Sequence, residues 1–228
     1  MFSALFGYNF YRKRYLNKTT SSIMKLYLEK PFLNKKELIH SVDIISLDFE
    51  TTGLDIEKNK IVSVGWVAIR NLSINLSSCT HEVINTNDEL PESSVVIHQI
   101  TDNQSASGMN IEDIMPILLE QLSGKVLLAH NAKVELGFLN KVCKQLYGTN
   151  FIIPIIDTQY LAKRSLERNN KTFKKKALRL FNLRKELKLP VYKAHNALMD
   201  AVATAELFLA MVNKISPKNN ARLGDFLS

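Results

Sequence analysis

Asp48 and Glu50 are the first residues in this chain whose type and spacing point to chemistry. They lie in Ser46-Leu47-Asp48-Phe49-Glu50-Thr51-Thr52-Gly53, an apolar stretch that ends in two carboxylates and breaks at a glycine. Val42 to Leu47 is short, rich in Ile and Val and bounded by the turn at Gly53, a pattern that predicts a buried strand. On a strand, side chains two residues apart share a face. Two carboxylates side by side against a core repel each other and lose hydration. A divalent cation relieves both costs, and hard oxygen donors suit Mg2+ or Mn2+. An isolated D-x-E pair is also what a solvated strand end looks like, so the pair needs company before it marks a metal site.

The company comes downstream. His130-Asn131-Ala132-Lys133-Val134-Glu135 follows the apolar run Val126 to Ala129, and His195-Asn196-Ala197-Leu198-Met199-Asp200 lies further on. Taken in order, D-F-E-T-T-G-L, A-H-N-A with an acid, and H-N-A-L-x-D-A resemble the three motifs of the DnaQ-like 3'–5' exonucleases. The histidine in the third motif places the resemblance in the DEDDh subgroup, close to bacterial DNA polymerase III epsilon subunits. It runs from about Asp43 to Met211. The second motif departs from the family's usual aspartate, with Glu135 in its place. Val95-Val96-Ile97-His98-Gln99-Ile100-Thr101 is similar to the family's H-G-I-T segment, with Gln99 where that segment has glycine.

The resemblance implies a ribonuclease H-like α/β fold, a mixed five-stranded sheet with helices on both faces. It implies two divalent ions, Mg2+ or Mn2+, with Asp48 bridging them, Glu50 and Asp200 completing one site, and Glu135 completing the other. His195 would be the general base. Phe49, Thr51, Thr52, Leu54, His98 and Asn131 would surround the terminal nucleotide. The reaction would release nucleoside 5'-monophosphates from the 3' end of a single strand, DNA in preference to RNA, alongside a polymerase or repair partner. Three alternatives stay open: a nucleic-acid-binding module with an attenuated site, an RNA-trimming exoribonuclease, and a hydrolase of small nucleotides.

Spacing constrains the third motif independently. Residues five apart on one helix are separated by about 140° around the axis. His195 and Asp200 therefore converge only if His195 lies on the preceding loop and Asp200 in the first turns of the helix.

Composition sets the frame. The chain has 228 residues, of which 46% are hydrophobic and 23% charged, enough for one domain with a sizeable core. Cys79 and Cys143 have neither disulfide-framework nor zinc spacing, which fits a reducing compartment. The sequence has no apolar run of membrane-spanning length. Arg12-Lys13-Arg14 follows the aromatic N-terminal stretch rather than preceding it, the reverse of a signal peptide. A cytoplasmic protein with no membrane contact is expected.

The net charge of +8 is unevenly spread: residues 1–42 carry +6, residues 43–162 carry −8 and residues 163–193 carry +10. An acidic block for metals between basic blocks for phosphates is coherent with the motifs; solvated helix faces are the plainer reading of such runs.

Residues 1–40 are expected as an N-terminal extension, partly helical, with Ser21 to Leu28 a short helix stopped by Pro31. Residues 41–215 form the expected exonuclease domain, and 216–228 a C-terminal tail. Within the domain, strands are expected at 42–50, 61–69, 74–84, 126–129 and 151–156. Asn71 to Ser73 reads as a hairpin turn and 90–102 as a connection. Helices are expected after Asn110, from Asn131 to Tyr147, after Asp157 as N-cap, across Thr172 to Leu189 with Leu178, Phe181 and Leu187 buried, and from Ala197 to Ile215. The last would turn Leu198, Val202, Ala205 and Leu209 to the sheet.

Overall fold

A computed structural model describes residues 7–168, 172–216 and 220–228. The strand expected at the head of the chain is the spine of the sheet. β1 (Ile44–Thr51) lies at the centre of five strands in the order β3-β2-β1-β4-β5. β2 (Ile61–Arg70) runs antiparallel to it, with Asp48 opposite Gly65 and Glu50 opposite Ser63, and a register shift falls between Glu50 and Thr51. β3 (Ser73–Val83) pairs antiparallel with β2. Asn71 and Leu72 join them, both left-handed (φ 51° and 54°), as a two-residue hairpin of matching twist requires. β4 (Val126–Ala129) and β5 (Ile155–Asp157) add on the other side in parallel.

A central strand is covered on both faces, which is why β1 reads as a continuous apolar run. Ile45, Leu47 and Phe49 belong to one core layer, under α2 (Ser22–Glu29), α5 (Ile111–Leu122) and α6 (Lys133–Tyr147). Ile44 belongs to the other, with Leu161 of α7 (Thr158–Arg168) and Ala205, Phe208 and Val212 of α9 (Ala197–Ile215). Ser46 points the same way as Ile44 and its hydroxyl donates to the Ala201 carbonyl of α9 at 2.7 Å. The alternation therefore carries Asp48 and Glu50 to the α9 face.

α9 meets the sheet at very short range. A Cβ on Gly65 would lie 2.1 Å from the backbone nitrogen of Leu198, so glycine at this β2 position is what admits the helix. That approach widens the expected contact stripe, of which Val202, Ala205 and Leu209 pack against the core on the sheet's α9 face. Ala197, Asp200, Ala201, Ala203, Thr204, Ala205, Leu207, Phe208 and Val212 are buried, whereas Leu198, Val202 and Leu209 are half-buried. Small residues, Ala197 and Ala201, line the start of the helix, where it approaches Gly65 most closely and larger ones would hold it away.

Other expectations are corrected by backbone chemistry. The fifth strand was expected from Phe151; pairing starts only at Ile155, because Pro154 has no N–H and contributes only its carbonyl, which accepts from Leu127 at 3.0 Å. The connection at 90–102 contains a helix, α3 (Glu92–His98), and runs into a second, α4 (Asp102–Ala106), held by a Thr101–Gln104 capping box. The basic stretch after residue 172 breaks into a 3-10 turn (Lys175–Leu178) and α8 (Leu180–Glu186). The break shifts the buried phase: Leu178, Leu180 and Leu183 are buried, while Phe181 and Leu187 are half-buried.

The chain ends pack against this frame. α1 (Tyr8–Leu16) precedes α2, which buries Met24, Tyr27 and Leu28, and the Tyr27 hydroxyl donates to the Ile152 carbonyl at 2.7 Å. In residues 220–228, Arg222 bridges to Leu38 and Leu227 to Ile156 of β5, with Leu223 and Phe226 fully buried. Among the described residues, no helix is long and apolar enough to cross a membrane.

Candidate active site

The cleft begins where β1 stops. Its floor is Asp48 to Leu54, one wall is Ser93, Ser94, Ile97 and His98 of α3, and Val134 and Glu135 of α6 form another. His195 and Asp200 close it, around a volume of about 420 Å³. The shift after Glu50 re-aims the strand end into this space, a common role of bulges beside active sites. The turn beyond is locked internally. Thr51 donates its hydroxyl to the Gly53 carbonyl at 2.9 Å, and Thr52 donates to Asn59 Oδ1 at 3.1 Å.

Three motif residues have left-handed backbone without being glycine: Gln99 (φ 61°), Asn131 (φ 67°) and His195 (φ 65°). Such positions are costly and persist where surrounding bonds over-determine them. At Gln99 the chain turns out of α3, which explains why a glycine there would be at ease. Its Oε1 accepts from Lys193 Nζ at 2.6 Å, across the cleft mouth. At His195 the backbone N–H donates to Asp200 Oδ2 at 3.1 Å, and Asn196 caps α9 through Met199 N–H at 3.0 Å. His195 thus sits on the loop and Asp200 in the first helical turn, the arrangement the five-residue spacing demands.

Asp157 controls the second motif. Its Oδ1 accepts from the Gln159 N–H (2.8 Å), as an N-cap of α7, and from the Asn131 N–H (3.1 Å), while Oδ2 accepts from the Ala132 N–H (3.1 Å). One carboxylate therefore fixes the starts of two helices, one of which delivers Glu135. Asn131 itself is exposed and is not among the residues lining the cleft. His130 is spent on structure, its ring nitrogens bonded to Thr158 Oγ1 (2.8 Å) and the Leu178 carbonyl (2.9 Å).

Electrostatically the cleft is under-neutralised. Burial, then the charges of Glu135, Asp200 and Glu50, push the Asp48 carboxyl well above its ordinary range. Burial, with Asp200 beside it, raises Glu50 to about 7. Burial, reinforced by Asp157, raises Glu135 to about 8. Burial raises Asp200 to about 6, opposed by the His195 N–H and by the charges of His195 and Arg184. Glu135 Oε2 and Asp200 Oδ1 are buried with no hydrogen-bond partner among the described residues. Ligand atoms of Glu50, His195 and Asp200 all lie within 4.8 Å of one another. His98 is buried, accepts the Ile100 N–H on Nδ1 at 3.1 Å, and so carries its proton on an Nε2 that has no partner among the described residues.

Of the residues singled out from the sequence, Asp48, Phe49, Glu50, Thr51, Thr52, Leu54, His98, Glu135, His195 and Asp200 come together, and Asn131 does not. Ser93, Ser94, Ile97 and Val134 were not foreseen. The signal for the first three was present in Pro91-Glu92, a helix start, followed by Ser94 and His98 four residues apart on one face.

A family model described as Exonuclease matches residues 45–208. The chain belongs to that exonuclease family. Among its relatives is the PolC-type DNA polymerase III of Thermotoga petrophila, 32% identical over 181 residues, covering 79% of this chain and 13% of that one. The chain thus spans about an eighth of the length of such relatives. The DNA polymerase III subunit epsilon of Aquifex aeolicus is 26% identical over 184 residues, covering 81% of this chain and 86% of the relative. Among solved structures, the nuclease domain of 3'hExo, a DEDDh family member bound to rAMP, superposes with a TM-score of 0.66 at 14% identity, over 83% of this chain and 98% of that one. Exonuclease X in complex with 5' overhanging duplex DNA gives 0.61 at 24% identity, over 81% and 98%. The ribonuclease H-like fold expected from the motifs is the fold observed.

Proposed function

We propose that this chain is a divalent-metal-dependent 3'–5' exonuclease acting on single strands, DNA in preference to RNA, and releasing nucleoside 5'-monophosphates. The observation that carries the reading is the convergence of Asp48, Glu50, Glu135 and Asp200 beside His195 in one cleft, with buried carboxyl oxygens left unpartnered. Four carboxyls so close together cannot all ionise without cations, and their hard oxygen donors suit Mg2+ or Mn2+. Asp48 would be shared between two ions, with Glu50 and Asp200 holding one and Glu135 the other. When bound, such ions relieve charge on the phosphate and favour ionised water as nucleophile.

The chain's own groups do the rest. His195 accepts the proton of the attacking water; its ring is exposed at the cleft mouth, and its backbone is fixed by Asp200. His98 offers an unpartnered Nε2–H to an acceptor on the terminal nucleotide. Leu54, 79% exposed, and Ile97, 52% exposed, offer apolar surface to its base. Thr51 and Thr52 shape the turn beneath, and Phe49 backs it from the core. Relatives named as DNA polymerase III subunits favour a polymerase partner.

The test is hydrolysis of labelled single strands, DNA and RNA separately, with Mg2+ and with Mn2+. Stepwise shortening from the 3' end is expected, abolished in a folded Asp48→Ala variant. Strand binding without hydrolysis in the unaltered protein would instead make it a binding module, and shortening of RNA alone an exoribonuclease.

A further inference from the structure

Between α8 and α9 the chain runs through residues 187–196 with no regular structure, and His195 stands at its end. Leu187, Leu189 and the Tyr192 ring pack partly against the small core beside it, but Val191 is 92% exposed, so apolar burial alone does not define this path. A polar cluster does. The Arg184 side chain is almost wholly buried, only 2% exposed. Its Nη1 donates to the Ala203 carbonyl of α9 at 2.5 Å, and its Nη2 donates to the Pro190 carbonyl at 2.9 Å and to Glu206 Oε2 at 2.7 Å. Tyr192 donates its hydroxyl to the other oxygen of Glu206 at 2.7 Å and lays its ring over the guanidinium, 4.8 Å from the centroid.

We propose that Arg184, Glu206 and Tyr192 form a clamp whose role is to position His195. The proposal rests on the reading of His195 as general base. Burying an ion pair costs desolvation that its attraction hardly repays, so stability is a weak reason for this cluster, whereas its directional bonds fix a unique geometry. Glu206 and Asp200 lie six residues apart on α9, about 9 Å along its axis. The same rigid helix therefore sets both anchors of the connection: the clamp at Pro190 and Tyr192, and the acceptor for the His195 N–H. Catalysis is sensitive to such placement, since a shift of about 1 Å can cost on the order of a hundredfold. Arg184, Glu206 and Tyr192 touch no reacting atom; they are positioning residues.

The experiment is a double-mutant cycle of Tyr192→Phe and His195→Ala on a labelled single strand with Mg2+. Tyr192→Phe keeps the ring over Arg184 and removes only the bond to Glu206, so it does not strand a buried charge; Glu206→Gln is the second variant. Tyr192→Phe is expected to lower kcat roughly tenfold and leave KM unchanged, and to have no further effect once His195 is alanine. An equal loss in both backgrounds, or no loss of kcat, overturns the clamp. If His195→Ala alone keeps full turnover, the general-base reading fails instead. The clamp is then judged by amide hydrogen exchange across residues 187–196: faster exchange at His195 in Tyr192→Phe supports it, and unchanged exchange overturns it.

Discussion

The acidic cluster gives the metal-free protein a contribution to stability that falls as pH rises, opposed by His98 and His130, whose pKa values burial lowers. The Glu135 carboxyl rises from 4.5 to about 8 on folding, and that of Glu50 from 4.5 to about 7, both mainly through burial. A group whose pKa is raised by folding binds its proton more tightly in the native state. Its stabilising contribution is complete below the unfolded value and is lost as pH rises through the folded one. With EDTA, the thermal midpoint should therefore fall as pH rises from about 5 to about 8, and added Mg2+ should restore it most at the alkaline end. A midpoint indifferent to Mg2+ at pH 8 would remove the cation site. Glu135 itself gives a second test at this scale. Its arm is one methylene longer than the family's usual aspartate, and Mg2+ tolerates little distortion of its octahedron. Glu135→Gln should lose most activity and need more Mg2+, and Glu135→Asp should also be impaired because the shorter arm falls back from the site. Wild-type rate and Mg2+ dependence in Glu135→Gln would show that Glu135 is no ligand.

The elements matter because they carry these carboxyls, and α9 meets β2 at backbone-contact range. Gly65→Ala would place a methyl 2.1 Å from the Leu198 backbone, where nothing flexible can give way. Overpacking costs about 1–3 kcal/mol where side chains can adjust; here the upper end is expected, a drop of roughly 6–12 °C in thermal midpoint for a chain of this size. Turnover should fall further than stability explains, because the helix that moves carries Asp200. A midpoint shift of a degree or less would refute the close contact. The same joint shows what the sequence could reveal. The strand ending in Asp48 and Glu50 was legible from its apolar run, and α9 from its Asn196 cap, since both patterns are local. Gly65 was silent, because its reason is a helix more than 130 residues away. Helix α3 was missed for a different cause: its buried side is Ser94 and His98 while Val96 and Ile97 are exposed, so its seven residues carry no apolar periodicity to read, although they supply a whole wall of the cleft. The double cap at Asp157 was half legible, as the start of α7, while its bonds to Asn131 and Ala132 depend on parallel pairing of β4 with β5.

At the scale of the whole molecule, charge is sorted as the sequence suggested, an acidic cleft with basic stretches elsewhere. The structure adds where one of them sits. Lys174, Lys175 and Lys176 are exposed at the start of a 3-10 turn whose Leu178 carbonyl accepts a bond from His130 Nε2, at the C-terminal end of β4. The basic turn is thus tied to the same end of the sheet as the cleft, as a surface holding the strand upstream of the scissile bond would have to be. Counterion release makes the expectation quantitative: each phosphate contact on a single strand contributes about 0.7 to the slope of log affinity against log salt. Replacing all three lysines by glutamine should flatten that slope by about 2 and weaken binding of long strands, while a dinucleotide, too short to reach the turn, should be cleaved almost as before. The measurement is strand affinity between low and physiological salt, without divalent ions so that no hydrolysis intervenes. An unchanged slope would make the run a solvated face, with the phosphates held elsewhere.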